Sequence, residues 1–152
     1  MVIESGVAGR DYIGVSVGAV LTDGEEKVLL LRRKKNPEAG LWSIPGGMVE
    51  YNEKVKDALT REIKEELDVE IKVKTLLCVI DNLIDDSWFH TVSLSYIVDI
   101  VQGNVRNVEK DKHSDIEWFD LKLLPCDLTV ATKATLQEYE KYKKGYNEFL
   151  IK

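Results

Sequence analysis

The pattern of hydrophobic and polar residues along the chain predicts strands and helices in alternation. Residues 11–22 and 27–33 have the composition of strands, and the turn sequence Asp23-Gly24-Glu25-Glu26 between them predicts a hairpin. Further strands are predicted at 70–81, 88–101 and 116–119, with a loop at 36–40, a bend at 45–47 and a turn at 82–87. This order predicts an α/β protein in which two or more helices pack against a mixed sheet.

Two segments have the periodicity of helices. The first is predicted to begin at Asn52 or Glu53, with Asn52 as the N-cap, and to end at Leu67. The second is predicted at 129–144, with Gly145 as its stop signal. The candidates for the inward face of the second helix are Ala131, Ala134, Leu136, Tyr139 and Tyr142.

Carboxylates occupy positions on the first helix where apolar residues would be expected. On the helical wheel, Val55, Ala58 and Leu59 lie close together, and Glu62, Glu65 and Glu66 fall in or beside the same sector. The outward side already has its polar residues, namely Lys54, Lys56, Asp57, Thr60, Arg61 and Lys64. Like charges at this spacing repel, and inward carboxylates are costly unless they are neutralised. The pattern therefore predicts a hard divalent cation, because Mg²⁺ combines a few carboxylates with waters and phosphate oxygens.

Composition limits the classes of function. A chain of 152 residues, 44% hydrophobic and 32% charged, is predicted to form a single soluble domain over 1–152 with its core at about 11–145. A net charge of −6 argues against polymeric nucleic acid as a partner. The two cysteines, Cys78 and Cys126, show no motif spacing, and two histidines are too few for a histidine-rich metal site. The start of the chain does not resemble a signal peptide, and no membrane-spanning run is present, so a cytoplasmic location is predicted.

The first helix and its preceding loop resemble the signature of the Nudix hydrolase family. That signature is Gly, five residues, Glu, seven residues, Arg-Glu, an aliphatic residue, any residue, Glu-Glu, any residue, Gly and an aliphatic residue. The matching positions are Gly47, Glu53, Arg61, Glu62, Ile63, Glu65, Glu66 and Val69, preceded by Pro45-Gly46. The resemblance covers most of 11–125 and implies the family's α/β/α sandwich with a central mixed sheet.

One position departs from the signature. Asp68 stands where the family has its final glycine, at the end of the helix, where a left-handed backbone is commonly required. Aspartate is one of the few other residues that enter this region. The departure concerns local geometry, because every glutamate of the signature is present.

The resemblance also implies roles for individual residues. Glu62 and Glu66 are the first choice as metal ligands, and Glu65 is the next, as ligand or base. Arg61 and Glu53 are expected to hold loop and helix together, although Arg61 could equally be an exposed partner of Glu65. The candidates for additional metal ligands are Gly46, Glu109 and Asp111. His113 is a weaker candidate, for which the favoured interpretation is an ordinary surface histidine. Arg32, Trp42 and Gly47 are candidates for substrate binding, and Trp42, Trp88, Phe89 or Trp118 could stack on a base, although aromatic residues in strands more often belong to the core.

The implied reaction is Mg²⁺-dependent hydrolysis of a nucleoside diphosphate-linked substrate, with Mn²⁺ as a possible substitute. The segment around 108–125 is similar to that of MutT-type pyrophosphohydrolases, which favours conversion of a nucleoside triphosphate to the monophosphate and pyrophosphate, as in sanitising or housekeeping of the nucleotide pool. Cleavage of ADP-ribose or a nucleotide sugar is the alternative, and a non-catalytic nucleotide sensor is the second. A homodimer is possible.

Overall fold

The computed structural model describes residues 6–24 and 26–145, which form two β-sheets flanked by two helices. The strands are β1 (Gly14–Leu21), β2 (Lys27–Arg33), β3 (Trp42–Ser43), β4 (Gly46–Met48), β5 (Glu70–Ile84), β6 (Phe89–Gln102) and β7 (His113–Asp120). The helices are α1 (Val55–Leu67) and α2 (Val130–Lys143), and a 3₁₀ turn at Asp85–Ser87 joins β5 to β6. β5 and β7 are longer than their patterns predicted.

The strands form one four-stranded and one three-stranded sheet. The strand order is β4-β1-β6-β5 in the first sheet and β3-β2-β7 in the second. β1 and β6 run parallel, while the other paired strands run antiparallel. The mixed α/β architecture predicted from the order of elements is therefore confirmed.

The predicted hairpin between the first two strands is wrong. β1 pairs with β4 and β6, whereas β2 pairs with β3 and β7 in the other sheet. A turn does reverse the chain, since the Asp23 amide donates to the Lys27 carbonyl over 3.2 Å, but only an isolated bridge between Thr22 and Val28 follows it. The turn sequence predicts a reversal of direction, while the long-range pairing of β1 with β6 over eight positions decides which sheet each strand joins.

Each helix covers its own hydrophobic cluster. On one side, Ala58, Leu59, Ile63 and Leu67 of α1 are fully buried against β1, β2 and β6, and this spacing is the apolar stripe expected of an amphipathic helix. On the other side, Leu136 of α2 packs in a second cluster with residues of β1, β2 and β5. The arrangement places the polar end of the α1 stripe beside the loop that precedes the helix.

The ends of the helices differ in part from the predictions. α1 begins at Val55, with Lys54 in the cap position, so Asn52 is not the N-cap; its φ of 62° places it in a left-handed turn. The Glu53 carboxylate accepts from the Glu50 amide over 3.0 Å and stabilises this turn instead of extending the helix.

The bounds of the second helix agree with the prediction to within one residue, but its inward face differs from the predicted one. Its N-cap is Thr129, whose hydroxyl accepts from the Thr132 amide over 3.3 Å. Tyr142 is 39% exposed, so its assignment to the inward face is wrong. Thr132 and Thr135 are buried there in its place, because both hydroxyls have partners: Thr132 Oγ1 accepts from the Ile44 backbone amide over 2.9 Å, and Thr135 Oγ1 lies 2.8 Å from Ser95 Oγ of β6.

Candidate active site

Arg61 connects α1 to the loop before it. Its guanidinium donates to both carboxylate oxygens of Glu53, over 2.7 Å from Nε and 3.0 Å from Nη2. Nη1 lies 2.9 Å from Glu62 Oε1 and 3.3 Å from Glu65 Oε2, and Nη2 also donates to the Met48 carbonyl. One side chain thus fixes the loop and orients two glutamates of the helix.

This contact shifts the pKa values of both partners. The hydrogen bond from Arg61, followed by that from the Glu50 amide, lowers the pKa of Glu53 to about 2. The hydrogen bond to Glu53 is also the largest cause that raises the pKa of Arg61. The pair therefore stays ionised throughout the range in which enzymes operate.

The Arg61–Glu53 pair is expected to stabilise the fold against acid. Because the folded-state pKa of Glu53 is depressed, its contribution is present above the ordinary value of 4.5 and is lost as the pH falls towards about 2. The thermal midpoint of Glu53→Gln should lie below that of the wild type at neutral pH, and the two should converge near pH 2. The control is Glu50→Gln, which removes a 71% exposed carboxylate 3.9 Å from Arg61 and should change little. A gap that stays constant with pH would contradict the assignment.

Glu66 is the most buried carboxylate of α1, with 2% exposure. Its Oε1 accepts from the Gly46 amide over 2.9 Å, and its Oε2 lies 3.5 Å from Nε2 of His113. Burial, together with the charge of Glu62 one turn away, raises the pKa of Glu66 well above its ordinary value. Burial also raises the pKa of Glu62, against the opposing effect of Arg61. Two buried carboxylates side by side are electrostatically unfavourable unless a cation joins them.

A cleft of about 260 Å³ opens beside these carboxylates. It is lined by Arg33, Lys35, Gly46, Gly47, Met48, Glu62, Glu66, Glu109, Lys112 and His113, and we call it the carboxylate cleft. Glu109 Oε2 lies 2.8 Å from Lys112 Nζ, whereas its Oε1 is buried without a hydrogen-bond partner. The Glu109 charge also contributes to the raised pKa of Glu66, and both residues line the cleft.

The donors of the carboxylate cleft fit a hard divalent cation. They are carboxylate oxygens, one of which has no partner, and their burial leaves negative charge to be neutralised. As they stand, no three histidine, cysteine, aspartate or glutamate side chains within 6–24 and 26–145 converge closely enough to hold a metal ion. One oxygen of each carboxylate is already engaged, in Glu62 by Arg61, in Glu66 by the Gly46 amide and in Glu109 by Lys112, so the other oxygens are the ones that would hold a cation.

The structure brings together some of the residues that the sequence singled out and leaves others apart. Gly46, Gly47, Glu62, Glu66, Glu109 and His113 line the carboxylate cleft. Gly47 packs directly on the Glu62 carboxylate, where any β-carbon would clash. Glu65 is 47% exposed and Asp111 is exposed, and neither lines the cleft. His113 is buried rather than on the surface, and burial lowers its pKa to about 4.

A second space adjoins the carboxylate cleft and lies between the two sheets and the start of α2. This central cavity, of about 230 Å³, shares Arg33, Gly46, Gly47, Met48, Glu66 and His113 with the cleft. Its other polar lining residues are Ser16, Glu38, Ser43, Asn82, Thr91, Ser93, Ser95, Thr129 and Thr132. The sequence analysis missed Arg33, Asn82 and the hydroxyl-bearing residues. Thr91, Ser93 and Ser95 alternate with the apolar residues Val92 and Leu94 in β6, and that alternation was the signal.

The four aromatic candidates for stacking on a base lie in different surroundings. Trp42 is buried, packs edge-on against Phe119 with ring centroids 4.8 Å apart, and carries the Arg32 guanidinium 5.7 Å above its ring. Neither Arg32 nor Trp42 lines the cleft or the central cavity. Trp88 is 89% exposed at a turn, and Trp118 packs against the α1 cluster. Phe89 lines the central cavity, so of the four aromatic candidates it is the one that a base in this cavity could contact.

Asp68 ends α1 in the left-handed conformation that was expected, with a φ of 58°. Its carboxylate accepts from Lys64 Nζ over 3.0 Å and from Nε and Nη2 of Arg106 over 3.1 and 3.0 Å. The contact with Lys64, followed by that with Arg106, lowers the pKa of Asp68. The side chain thus ties the helix end to the strand connection after β6, which a glycine would not do.

Replacing Asp68 by glycine is expected to combine two opposing effects. Glycine removes the conformational cost of the left-handed backbone but also removes the contacts with Lys64 and Arg106. Asp68→Asn is the matched control, because asparagine tolerates the same backbone without the charge. Thermal midpoints should rank glycine above asparagine at every salt concentration, and both variants should gain on the wild type as salt screens the exposed ion pairs. Asparagine ranking above glycine would contradict a backbone cost at this position.

Comparison with known proteins identifies the family. A model described as the NUDIX domain matches residues 13–141. An ADP-ribose pyrophosphatase of Methanocaldococcus jannaschii is 37% identical over 131 residues, which cover 84% of this chain and 76% of that protein. The human 8-oxo-dGDP phosphatase NUDT18 is 35% identical over 122 residues, or 78% of this chain and 36% of that protein. A solved MutT Nudix hydrolase from Burkholderia pseudomallei aligns with a TM-score of 0.80 and 39% identity over 84% of this chain and 98% of that one.

The fold and the carboxylate cleft define a hydrolase of the α/β/α sandwich class. The chain belongs to the Nudix hydrolase family and is an enzyme that acts on small nucleoside diphosphate-linked substrates. Members of this family generally use divalent cations. Neither of the two described helices has the length and apolar content that a membrane span needs.

Proposed function

We propose that this protein hydrolyses a nucleoside triphosphate to the monophosphate and pyrophosphate with Mg²⁺ as its cofactor. The observation that carries the proposal is the combination of residues that line the carboxylate cleft. The cleft shares six lining residues with the central cavity, and its other lining residues include Lys35 and Lys112. A nucleoside suits the central cavity, while the charged end of a triphosphate suits the lysines.

Residues shared by the cleft and the cavity would hold the phosphate that undergoes attack. Arg33 lies at this junction, and its Nε donates to the Pro37 carbonyl over 3.0 Å, which fixes the direction of its guanidinium. A guanidinium held in this way presents its remaining N–H groups to a phosphate without losing much conformational freedom. Arg33 would therefore bind and orient the substrate.

Glu62, Glu66 and Glu109 would hold the cation through their carboxylates. When bound, Mg²⁺ supplies neutralisation of phosphate charge and orientation of a water for in-line attack on phosphorus. The chain contributes the placement of these groups. Arg61 fixes Glu62 relative to the loop, and the Gly46 amide fixes Glu66. Glu65, half-exposed beside Arg61, would act from the rim of the cleft as an additional ligand or as the base.

ADP-ribose is a second candidate substrate, favoured by the identity shared with the archaeal ADP-ribose pyrophosphatase. It would place a ribose phosphate, in place of pyrophosphate, beside Lys35 and Lys112. The two substrates are distinguished by what leaves after the same kind of phosphoanhydride cleavage.

A product panel tests the proposal. The purified protein with Mg²⁺ is incubated with the common nucleoside triphosphates and diphosphates, 8-oxo-dGDP, ADP-ribose and nucleotide sugars, and the products are separated chromatographically. We expect pyrophosphate and a monophosphate from at least one triphosphate, with a kcat/KM above that for ADP-ribose. A higher kcat/KM for ADP-ribose, yielding AMP and ribose 5-phosphate, would reverse the order of the two candidates. Release of phosphate and a diphosphate from a triphosphate, in place of pyrophosphate and a monophosphate, would contradict the proposed bond.

A further inference from the structure

The wall of the central cavity contains a row of hydroxyl groups that the metal chemistry does not use. Thr91, Ser93 and Ser95 alternate along β6 and are all buried. All three hydroxyls have partners: Ser93 Oγ lies 2.5 Å from Ser16 Oγ and 3.4 Å from Thr91 Oγ1, and Ser95 Oγ lies 2.8 Å from Thr135 Oγ1. Ser16, Ser93 and Thr91 thus form a connected polar network, and Ser95 forms a separate pair with Thr135.

Asn82 stands at the end of this network with one group unpartnered. It pairs with Thr91 across β5 and β6, and its Nδ2 donates to Thr91 Oγ1 over 3.4 Å. Its side chain lines the central cavity and is 8% exposed, yet its Oδ1 is buried without a hydrogen-bond partner. An unpartnered buried acceptor costs about 1–3 kcal/mol, so a structural role alone gives no reason for asparagine here.

The surroundings of Asn82 indicate what its acceptor would meet. Met48, Ile84 and Phe89 line the same cavity and provide apolar and aromatic surface. Planar heterocycles bind between such surfaces, with a few polar groups fixing their orientation. An acceptor recessed in this wall is reached best by a donor that projects from the ring, as an exocyclic amino group does.

We propose that Asn82 is a specificity-determining residue whose Oδ1 accepts a hydrogen bond from the exocyclic amino group of a nucleobase. The inference rests on the proposed function, because it places the nucleoside in the central cavity. A site with a buried hydrogen-bonding group discriminates strongly against an analogue that lacks the matching group, since its own group is then left unpaired. The substrates favoured are adenine, guanine or cytosine nucleotides over matched analogues without the amino group.

Three pairs of nucleotides isolate this contact, because each pair differs by one amino group. They are the triphosphates of adenosine and purine riboside, of guanosine and inosine, and of cytidine and 2-pyrimidinone riboside. For the preferred base, the wild type should favour the amino-bearing member by about tenfold or more in kcat/KM, which corresponds to about 1.4 kcal/mol. Asn82→Leu, which keeps the approximate size, should bring this ratio close to one, mainly through KM.

The control is Thr135→Val, which removes the hydroxyl that pairs with Ser95, at a buried position outside the cavity lining. It should keep the wild-type ratio. The thermal midpoint of Asn82→Leu should equal or exceed that of the wild type, because the variant removes an unpartnered acceptor, whereas a structural role predicts a decrease. Asn82→Ala replaces it if leucine prevents folding. A variant that keeps the wild-type ratio, or a wild type without preference in any pair, would overturn the inference.

Binding measurements test this inference independently of the proposed reaction. Calorimetric titration with the corresponding monophosphates needs no turnover, and the same loss of preference is expected in Asn82→Leu. Failure of the wild type to hydrolyse any triphosphate while it binds amino-bearing monophosphates preferentially would overturn the proposed reaction and support the role of Asn82. Absence of binding by every monophosphate would overturn the role of Asn82.

Discussion

Replacing Glu66 by glutamine is expected to lower kcat/KM by about 100-fold or more, or roughly 3 kcal/mol of transition-state stabilisation, while the protein still folds. Glutamine keeps the size of the side chain and an oxygen that can accept from the Gly46 amide, which now bonds to Glu66 Oε1 over 2.9 Å. The substitution therefore removes one negative charge from the carboxylate cleft and little else. The loss should appear in steady-state kinetics at saturating Mg²⁺.

The same substitution should leave the metal-free protein as stable as the wild type or more stable. The folded-state pKa of Glu66 is raised, so ionisation disfavours the folded state as the pH rises above the ordinary value of 4.5. Below that value both states bind the proton and this cost disappears. Glutamine does not ionise, and the thermal midpoint of the variant should therefore gain on that of the wild type between acid and neutral pH.

Glu65→Gln is the matched control for this prediction. Glu65 lies on the same helix next to Glu66, but it is 47% exposed and contacts Arg61 from the rim of the cleft. Its substitution should leave the rise of the thermal midpoint with Mg²⁺ closer to that of the wild type than Glu66→Gln does, if cation binding depends on the more buried carboxylates. Equal losses of this Mg²⁺ response in the two variants would show that general charge, rather than the position of Glu66, determines cation binding.

Removal of divalent cations with EDTA is expected to abolish hydrolysis, and excess Mg²⁺ should restore it. The reason is the grouping of the carboxylates Glu62, Glu66 and Glu109, because a substrate phosphate would add further negative charge to the same cleft. Mn²⁺ should substitute in part, since it accepts similar oxygen ligands. Hydrolysis that continues unchanged in EDTA would contradict the role of the cation.

Cation binding should also stabilise the folded protein, independently of turnover. A ligand that binds only the folded state at ten times its Kd adds about 1.4 kcal/mol to the free energy of unfolding. The thermal midpoint of the wild type should therefore rise with Mg²⁺ concentration. A thermal midpoint that does not change with Mg²⁺ concentration would indicate that the cation binds only together with the substrate.

The parts of the fold that follow local rules could be predicted from the sequence. The buried positions of α1 and its end at Asp68 follow from helical periodicity and from the conformational range of the residue after a helix. The start of α1 did not follow, because Arg61 holds Glu53 in a turn from two helical turns away. The separation of β1 and β2 into different sheets depends on the pairing of β1 with β6, whose residues lie 77 positions further along the chain (Gly14 with Thr91), and the turn sequence does not encode this pairing.

The candidate site likewise contains residues that could be predicted from the sequence and residues that could not. Glu62 and Glu66 could be predicted because positions four apart share a helix face, and their burial follows from the apolar residues before them. Glu109 was proposed only through the resemblance to a family, since its place in the cleft depends on the connection between β6 and β7. Arg33 and Asn82 were missed, because each reaches the central cavity only after two sheets have packed together.

The most direct test of the account is to measure turnover and thermal midpoint side by side for the wild type and Glu66→Gln, with and without Mg²⁺. The account predicts Mg²⁺-dependent turnover and a midpoint that rises with Mg²⁺ in the wild type, with both responses strongly reduced in the variant although it folds. Near-normal turnover in Glu66→Gln, together with an unchanged response of its midpoint to Mg²⁺, would remove Glu66 from the metal site and contradict the central claim.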